Sequence, residues 1–247
     1  MEKNCKTEAA IPATVQDALD TFCAQLHAGL GTKLTAVVLY GGLAKGEFTP
    51  KTSDVNVMVV LQEISVEILD QMIPALDEAR RIFQLNLLTV TEADLADSAE
   101  VFPIKFLDIQ RHHRTIFGQD VASALNVPRE RLRRQCAREI MNLQLRLRQF
   151  YLERRQRPEL IESTLQRAVA TLLINLSVAM ELKTGQSFPT KAAVVESAGN
   201  IGIDAKLLQQ LLLLKRGEFK PSVSELKPLY GSFMKIVQQA VELVNTL

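Results

Sequence analysis

LYGGLAKGEFTPKTSDVNVMVVL, residues Leu39 to Leu61, is the stretch whose reading decides the fold. It contains the end of one β-rich apolar run, two glycines, a short helical segment, a turn, and Ser53-Asp54-Val55-Asn56 leading into a second apolar run. The first run, Leu34 to Tyr40, is short and valine-rich, which predicts a buried strand. Leu43 to Phe48 has room for a helical turn or two, and Thr49-Pro50-Lys51-Thr52 reads as a turn. Asp54 to Leu61 is the second strand, with Asp54 and Asn56 on one face and Val55 and Val57 on the other. Each part has a chemical use if a phosphate binds. Glycines after a strand admit close backbone approach, and amide groups at the start of the next helix can hold oxygens. Lys45 or Lys51 adds a positive charge, and Asp54 faces the same hollow.

Working outward, Val15 to Leu30 carries Val15, Leu19, Phe22 and Leu26 at helical spacing, with Gly29 and Gly31 as a stop. Val66 to Arg81 reads as a helix, and Ile82 to Val90 as a third strand with Gln84 and Asn86 on a common face. Thr91 to Glu100 reads as a polar connection, Ile104 to Ile109 as a fourth strand or a helix edge, and His112-His113-Arg114 as part of a basic stretch closed by Gly118. After Val127-Pro128 strand signals cease. A long helix ends before Pro158, and a second runs from Pro158 to Lys183. Shorter helices follow over Lys191 to Ser197 and from Asp204 to Leu214. A last one starts near Val223 or Ser224, its regular part delayed by Pro228. The expected architecture is an α/β (α+β) domain on a small mixed sheet, residues 1–122, then an all-α helical bundle, residues 123–247.

Composition sets bounds on function. Of 247 residues 47 % are hydrophobic and 23 % charged, and the net charge is +1, so overall charge gives no argument for nucleic acid or a membrane surface. Cys5, Cys23 and Cys136 are scattered, without metal-ligand spacing, which fits a reducing compartment. The polar start from Met1 to Ala10 lacks the apolar core of a signal peptide, and no apolar run reaches the roughly 20 residues of a span. The expectation is a cytoplasmic protein with no membrane partner.

With these residues in hand, Leu39 to Leu61 resembles the signature of the DNA polymerase β-like nucleotidyltransferase superfamily. That signature is a Gly-Ser after the first strand, then Asp-x-Asp at the start of the next. The resemblance is greatest to the minimal nucleotidyltransferases and the aminoglycoside adenylyltransferases, in which an α/β domain precedes a helical bundle. The order of segments agrees over nearly the whole chain. The connection Ser98 to Asp120, SAEVFPIKFLDIQRHHRTIFGQD, with the helices after it, resembles uncharacterised bacterial proteins grouped with that superfamily. The resemblance implies transfer of a nucleoside monophosphate from a nucleoside triphosphate to a hydroxyl, with Mg²⁺ ions held by the Asp-x-Asp pair and a third carboxylate on a neighbouring strand. Mg²⁺ takes hard oxygen ligands, typically one or two carboxylates plus phosphates.

Carried over residue by residue, the resemblance makes Gly41, Gly42, Lys45 and Ser53 nucleotide-binding candidates, Asp54 the catalytic candidate, and Asp54 and Asn56 the metal candidates. The motif is degenerate at three positions. Gly42 stands where the serine belongs, Asn56 where the second aspartate belongs, and Gln84 or Asn86 where the third carboxylate belongs. Asp108 or Glu100 could supply a carboxylate from elsewhere. Replacing two carboxylates by amides keeps shape but removes about two negative charges, which weakens Mg²⁺ binding.

Three readings of function follow. The first is a nucleotidyltransferase fold with impaired or absent catalysis, binding a nucleoside triphosphate in the cleft between the two halves. The second is a working Mg²⁺-dependent transferase built on Asp54. The third is a protein-interaction module whose helical half assembles with itself or a partner. Other features have plainer readings. His112 and His113 sit in a basic surface segment with no carboxylate at useful spacing, and a tandem pair on a strand points to opposite faces. The arginines of Arg129 to Arg157 read as a solvated helix face, with phosphate contact second. Nucleic acid comes third, because aromatic interleaving is sparse. Asn175 reads as a hydrogen-bonded bundle position.

Overall fold

The computed structural model describes residues 11–46 and 53–247. The chain forms two compact units, Met1–Val127 and Pro128–Leu247.

Unit 1 is a four-stranded sheet in the order β3-β2-β1-β4 with helices on both faces. Its elements are α1 (Ala13–Leu30), β1 (Leu34–Tyr40), α2 (Gly42–Lys45), β2 (Val55–Leu61), α3 (Val66–Ile82), β3 (Leu85–Thr91), α4 (Glu92–Val101), α5 (Pro103–Arg111) and β4 (His113–Gly118). β1 pairs antiparallel with β2 and β4, and β2 pairs parallel with β3 through the α3 crossover, so the sheet is mixed. The central strands β1 and β2 are covered on both faces, which is why their sequences are nearly continuous apolar runs. Val37, Leu39, Val57 and Val59 pack under Leu19, Phe22, Leu26, Ile68 and Met72 of α1 and α3. Val38, Tyr40, Met58 and Val60 face the other way, toward Leu95, Ala99, Phe106 and Ile109 of α4 and α5.

Two expectations are corrected here, and one left between strand and helix is decided. The polar connection Thr91 to Glu100 is helix α4. Thr91 caps it reciprocally with Asp94, Asp94 N–H donating to Thr91 Oγ1 at 3.1 Å and Thr91 N–H to Asp94 Oδ2 at 2.8 Å. Ile104 to Ile109 is helical, within α5, opened by Pro103 at its first turn. The basic stretch is itself the fourth strand, β4, on the free edge of β1. The third strand also starts later than expected, because Ile82 ends α3.

Unit 2 is helical: α6 (Arg129–Arg154), α7 (Pro158–Thr184), α8 (Lys191–Ser197), α9 (Ala205–Arg216) and α10 (Val223–Asn245). Helix α7 lies at its centre, touching α6, α8, α9 and α10. It is the one described helix long and apolar enough to cross a bilayer, but its apolar face, including Leu165, Val169, Leu172, Leu176 and Met180, is buried in the bundle. Pro228 does not delay α10. The helix starts at Val223, its end held by a Ser222–Glu225 capping box. Asn175 is buried and donates to Thr171 O at 2.9 Å within α7.

Candidate functional site

The site candidates gather at one end of the sheet in unit 1. Tyr40, the last residue of β1, lies opposite Asn56 of β2. Gly41 follows with φ +75° and ψ −145°, a backbone state that only glycine adopts readily. A Cβ at Gly41 would lie 3.0 Å from Asn56 Nδ2, so the turn after β1 rests directly on the Asn56 amide. Gly42 begins α2, a single turn whose Lys45 N–H returns to Gly41 O at 3.0 Å. The glycine turn and the start of the second strand therefore converge.

Asn56 also meets β3. The parallel register sets Asn56 beside Asn86, and Asn86 Nδ2 donates to Asn56 Oδ1 at 2.8 Å. Gln84, the other amide expected here, precedes the strand, and its carbonyl accepts from Val55 N–H at 2.9 Å. Asp54 is exposed, one residue before β2, and Ser53 beside it is half-buried. Lys51 lies outside the described residues.

Lys45 does not stand alone. Its Nζ is 2.7 Å from Asp108 Oδ1, in α5. Leu43 and Ala44 of α2 pack with the α1–α3 side of the sheet, so Lys45 reaches around the strand ends to the α5 side, the face that carries Tyr40 and hence Asn56. The pair is partly exposed, at 24 % for Lys45 and 42 % for Asp108. The carboxylate that the sequence held in reserve thus neutralises the lysine that it offered to phosphate.

The same face carries a cluster that the sequence reading missed. His113, opposite Tyr40 in β4, is only 12 % exposed and is not part of a surface segment. Its Nε2 is 2.9 Å from Asp120 Oδ1, and its Nδ1 lies 3.0 Å from Ile109 O and 3.1 Å from Gln110 O. Ser123 donates to Asp120 twice, Oγ to Oδ2 at 2.6 Å and N–H to Oδ1 at 3.1 Å. The Ser123 hydroxyl bond holds the Asp120 carboxyl below its usual range, with Ser123 N–H and His113 lowering it further. Ser123 Oγ is committed to the carboxylate and sits 3.4 Å from His113 Nε2, so no imidazole-activated hydroxyl is formed. The cluster instead ties the turn after β4 back to the strand. The signal was Asp120 seven residues beyond His113, a separation that only the turn turns into contact.

Elsewhere, Arg129 at the start of α6 donates to Leu182 O of α7 at 3.0 Å, while two arginines after it pair on their own helix. Arg133 and Arg134 both bond Glu130, which pushes its carboxyl down to about 2, chiefly through Arg133. Among the described residues no group of three His, Cys, Asp or Glu side chains could hold a metal ion. Two hollows lie apart from the glycine turn. One of about 360 Å³ runs between α1 and α3, and one of about 490 Å³ between α6 and α10, the latter lined by Arg148 and Lys235.

No family model and no curated protein matches the sequence. Among solved structures, the spectinomycin adenyltransferase AAD(9) from Enterococcus faecialis, crystallised with ATP and spectinomycin, matches with a TM-score of 0.59 at 13 % identity, over 91 % of this chain and 98 % of that one. The fold is that of a nucleotidyltransferase. Within this fold the glycine turn after β1 and the start of β2 adjoin through Gly41 and Asn56.

Proposed function

We propose that this nucleotidyltransferase-fold protein binds a nucleoside triphosphate at the Gly41–Asn56 end of its sheet and has impaired or no transferase activity. One observation carries the reading: an Asn–Asn hydrogen bond stands where the resemblance calls for two metal-binding carboxylates. The Mg²⁺ that the fold family implies does not suit this donor set. Two neutral amides replace anionic oxygens, and the Asn56 oxygen already accepts from Asn86. Of the carboxylates considered, Asp54 is a single ligand, Asp108 is engaged by Lys45, and Glu100 lies near the end of α4. Scattered thiols support a cytoplasmic location.

The test pairs turnover with binding. The chain is incubated with Mg²⁺ and with ATP and spectinomycin, the ligands of the structural neighbour, and pyrophosphate release is measured beside an ATP thermal shift. Stabilisation by ATP without pyrophosphate release is expected. Release dependent on Asp54 would make the chain a working transferase instead. A second reading, self-association, is favoured by the exposed apolar stripe Val66, Leu69 and Ile73 on α3, and sedimentation velocity of the full chain tests it.

A further inference from the structure

We infer that the site holds the phosphates of a nucleoside triphosphate directly, through amide and ammonium donors, and needs no divalent cation. This rests on the nucleotide-binding reading above and goes beyond it by naming how the phosphates are held. Where two carboxylates face a triphosphate, like charges repel unless a cation lies between them. Asn56 and Asn86 remove that repulsion and reverse the polarity of the contact, because an amide has two N–H donors and a carboxylate has none. Asn86 uses one N–H on Asn56 Oδ1 and keeps the other. Asn56 Nδ2 lies against Gly41, beside the turn where the missing side chain lets an oxygen approach the backbone. Lys45, four residues on, carries the positive charge. In the free protein Asp108 neutralises it across 2.7 Å, and in the bound state a phosphate oxygen takes that place. The donors are thus prearranged by an amide–amide bond and an ion pair, neither of which a metal organises.

The experiment measures ATP affinity of the full chain by calorimetry, in excess EDTA and in excess MgCl₂. Affinities equal within about threefold are expected. Binding at least about tenfold tighter with Mg²⁺ overturns the inference and leaves nucleotide binding standing. No binding of ATP in either buffer removes both. Inorganic tripolyphosphate is expected to compete with ATP, and competition by adenosine alone overturns the inference. In the reciprocal arm, the double substitution Asn56→Asp with Asn86→Asp should make the melting temperature rise with MgCl₂, while the natural chain shows no such response. If the double variant does not fold, Asn56→Asp alone is used, since Asn86 can still donate to an aspartate there. A natural chain stabilised by MgCl₂ alone, or a folded aspartate variant indifferent to it, refutes the assignment.

Discussion

Gly41→Ala tests the physical centre of the site. Alanine at φ +75°, ψ −145° enters a region that is nearly glycine-only, which costs about 1–3 kcal/mol. The new methyl would also stand 3.0 Å from Asn56 Nδ2 and 3.5 Å from its Cγ, so the amide must yield by a few tenths of an ångström. That movement weakens the bond Asn56 accepts from Asn86, a further loss of about 1 kcal/mol. The total is about 2–4 kcal/mol, and only the second part depends on Asn56. A double-mutant cycle separates them: Gly41→Ala, Asn56→Ala, and both together should show a coupling of about 1 kcal/mol. The assay is urea unfolding followed by fluorotyrosine NMR. Of the three tyrosines, Tyr40 reports unit 1, while Tyr151 and Tyr230 report unit 2, so each unit's transition is read separately. Gly31→Ala, at φ +55°, ψ −128° with nothing within 4 Å of its Cβ, measures the backbone cost without a contact. Loss of less than about 0.5 kcal/mol at Gly41, or zero coupling to Asn56, would refute the claim that turn and amide are in contact.

Asp108→Asn should free Lys45 for phosphate and tighten ATP binding about two- to fivefold, the worth of a partly exposed ion pair, as measured by calorimetry. Asp120 has a lowered carboxyl pKa in the folded chain, so its stabilising contribution is present above the unfolded value and is lost as pH falls through the folded one. Carboxyl NMR titration should place Asp120 below the usual range, and Ser123→Ala should move it up, since the Ser123 hydroxyl is the main cause. Burial pushes the Cys23 and Cys136 thiols up to about 12, so both should resist iodoacetamide at pH 8 in the folded state and react after unfolding, read by peptide mass mapping. Asn175→Leu should stabilise unit 2 by about 1 kcal/mol in urea unfolding, because Asn175 Oδ1 is buried without a partner.

What was legible follows from burial. β1 and β2 stand out in sequence because both faces are covered, leaving seven-residue runs that are almost wholly apolar. The long helices of unit 2 were readable because their apolar stripes face a bundle and prolines mark their starts. α4 was not, because only Leu95 and Ala99 are buried, two residues that make no visible period. Its real signal was the cap, Thr91 with Asp94 three residues on. β4 lies at the sheet edge with every residue but Gly118 half-buried, so it shows no alternation, and its histidines masked it as a basic loop. That Asp54 and Asn56 share one side of the second strand could be read from strand periodicity. The Asn86–Asn56 bond could not, because it needs the parallel register. The Lys45–Asp108 and His113–Asp120 pairs likewise depend on how α5 and the turn after β4 return to the sheet.

The amide pair has a further physical implication for how such a site departs from metal chemistry. Two carboxylates at the separation of this hydrogen bond, 2.8 Å, would repel by about 6 kcal/mol at an effective dielectric of 20, so without a cation they would splay or one would take up a proton. Changing only position 56 to asparagine leaves one carboxylate that the new amide can satisfy, and changing only position 86 does the same from the other side. Either single step removes the repulsion. The second step removes the last charge from the pair and fixes the geometry with a neutral bond that costs nothing in the absence of metal. A site with both amides is therefore stable empty, whereas a site with both carboxylates must bind a cation, splay or take up a proton. That difference predicts that the natural chain's unit 1 unfolds at the same urea concentration with and without Mg²⁺, while the Asn56→Asp, Asn86→Asp chain does not.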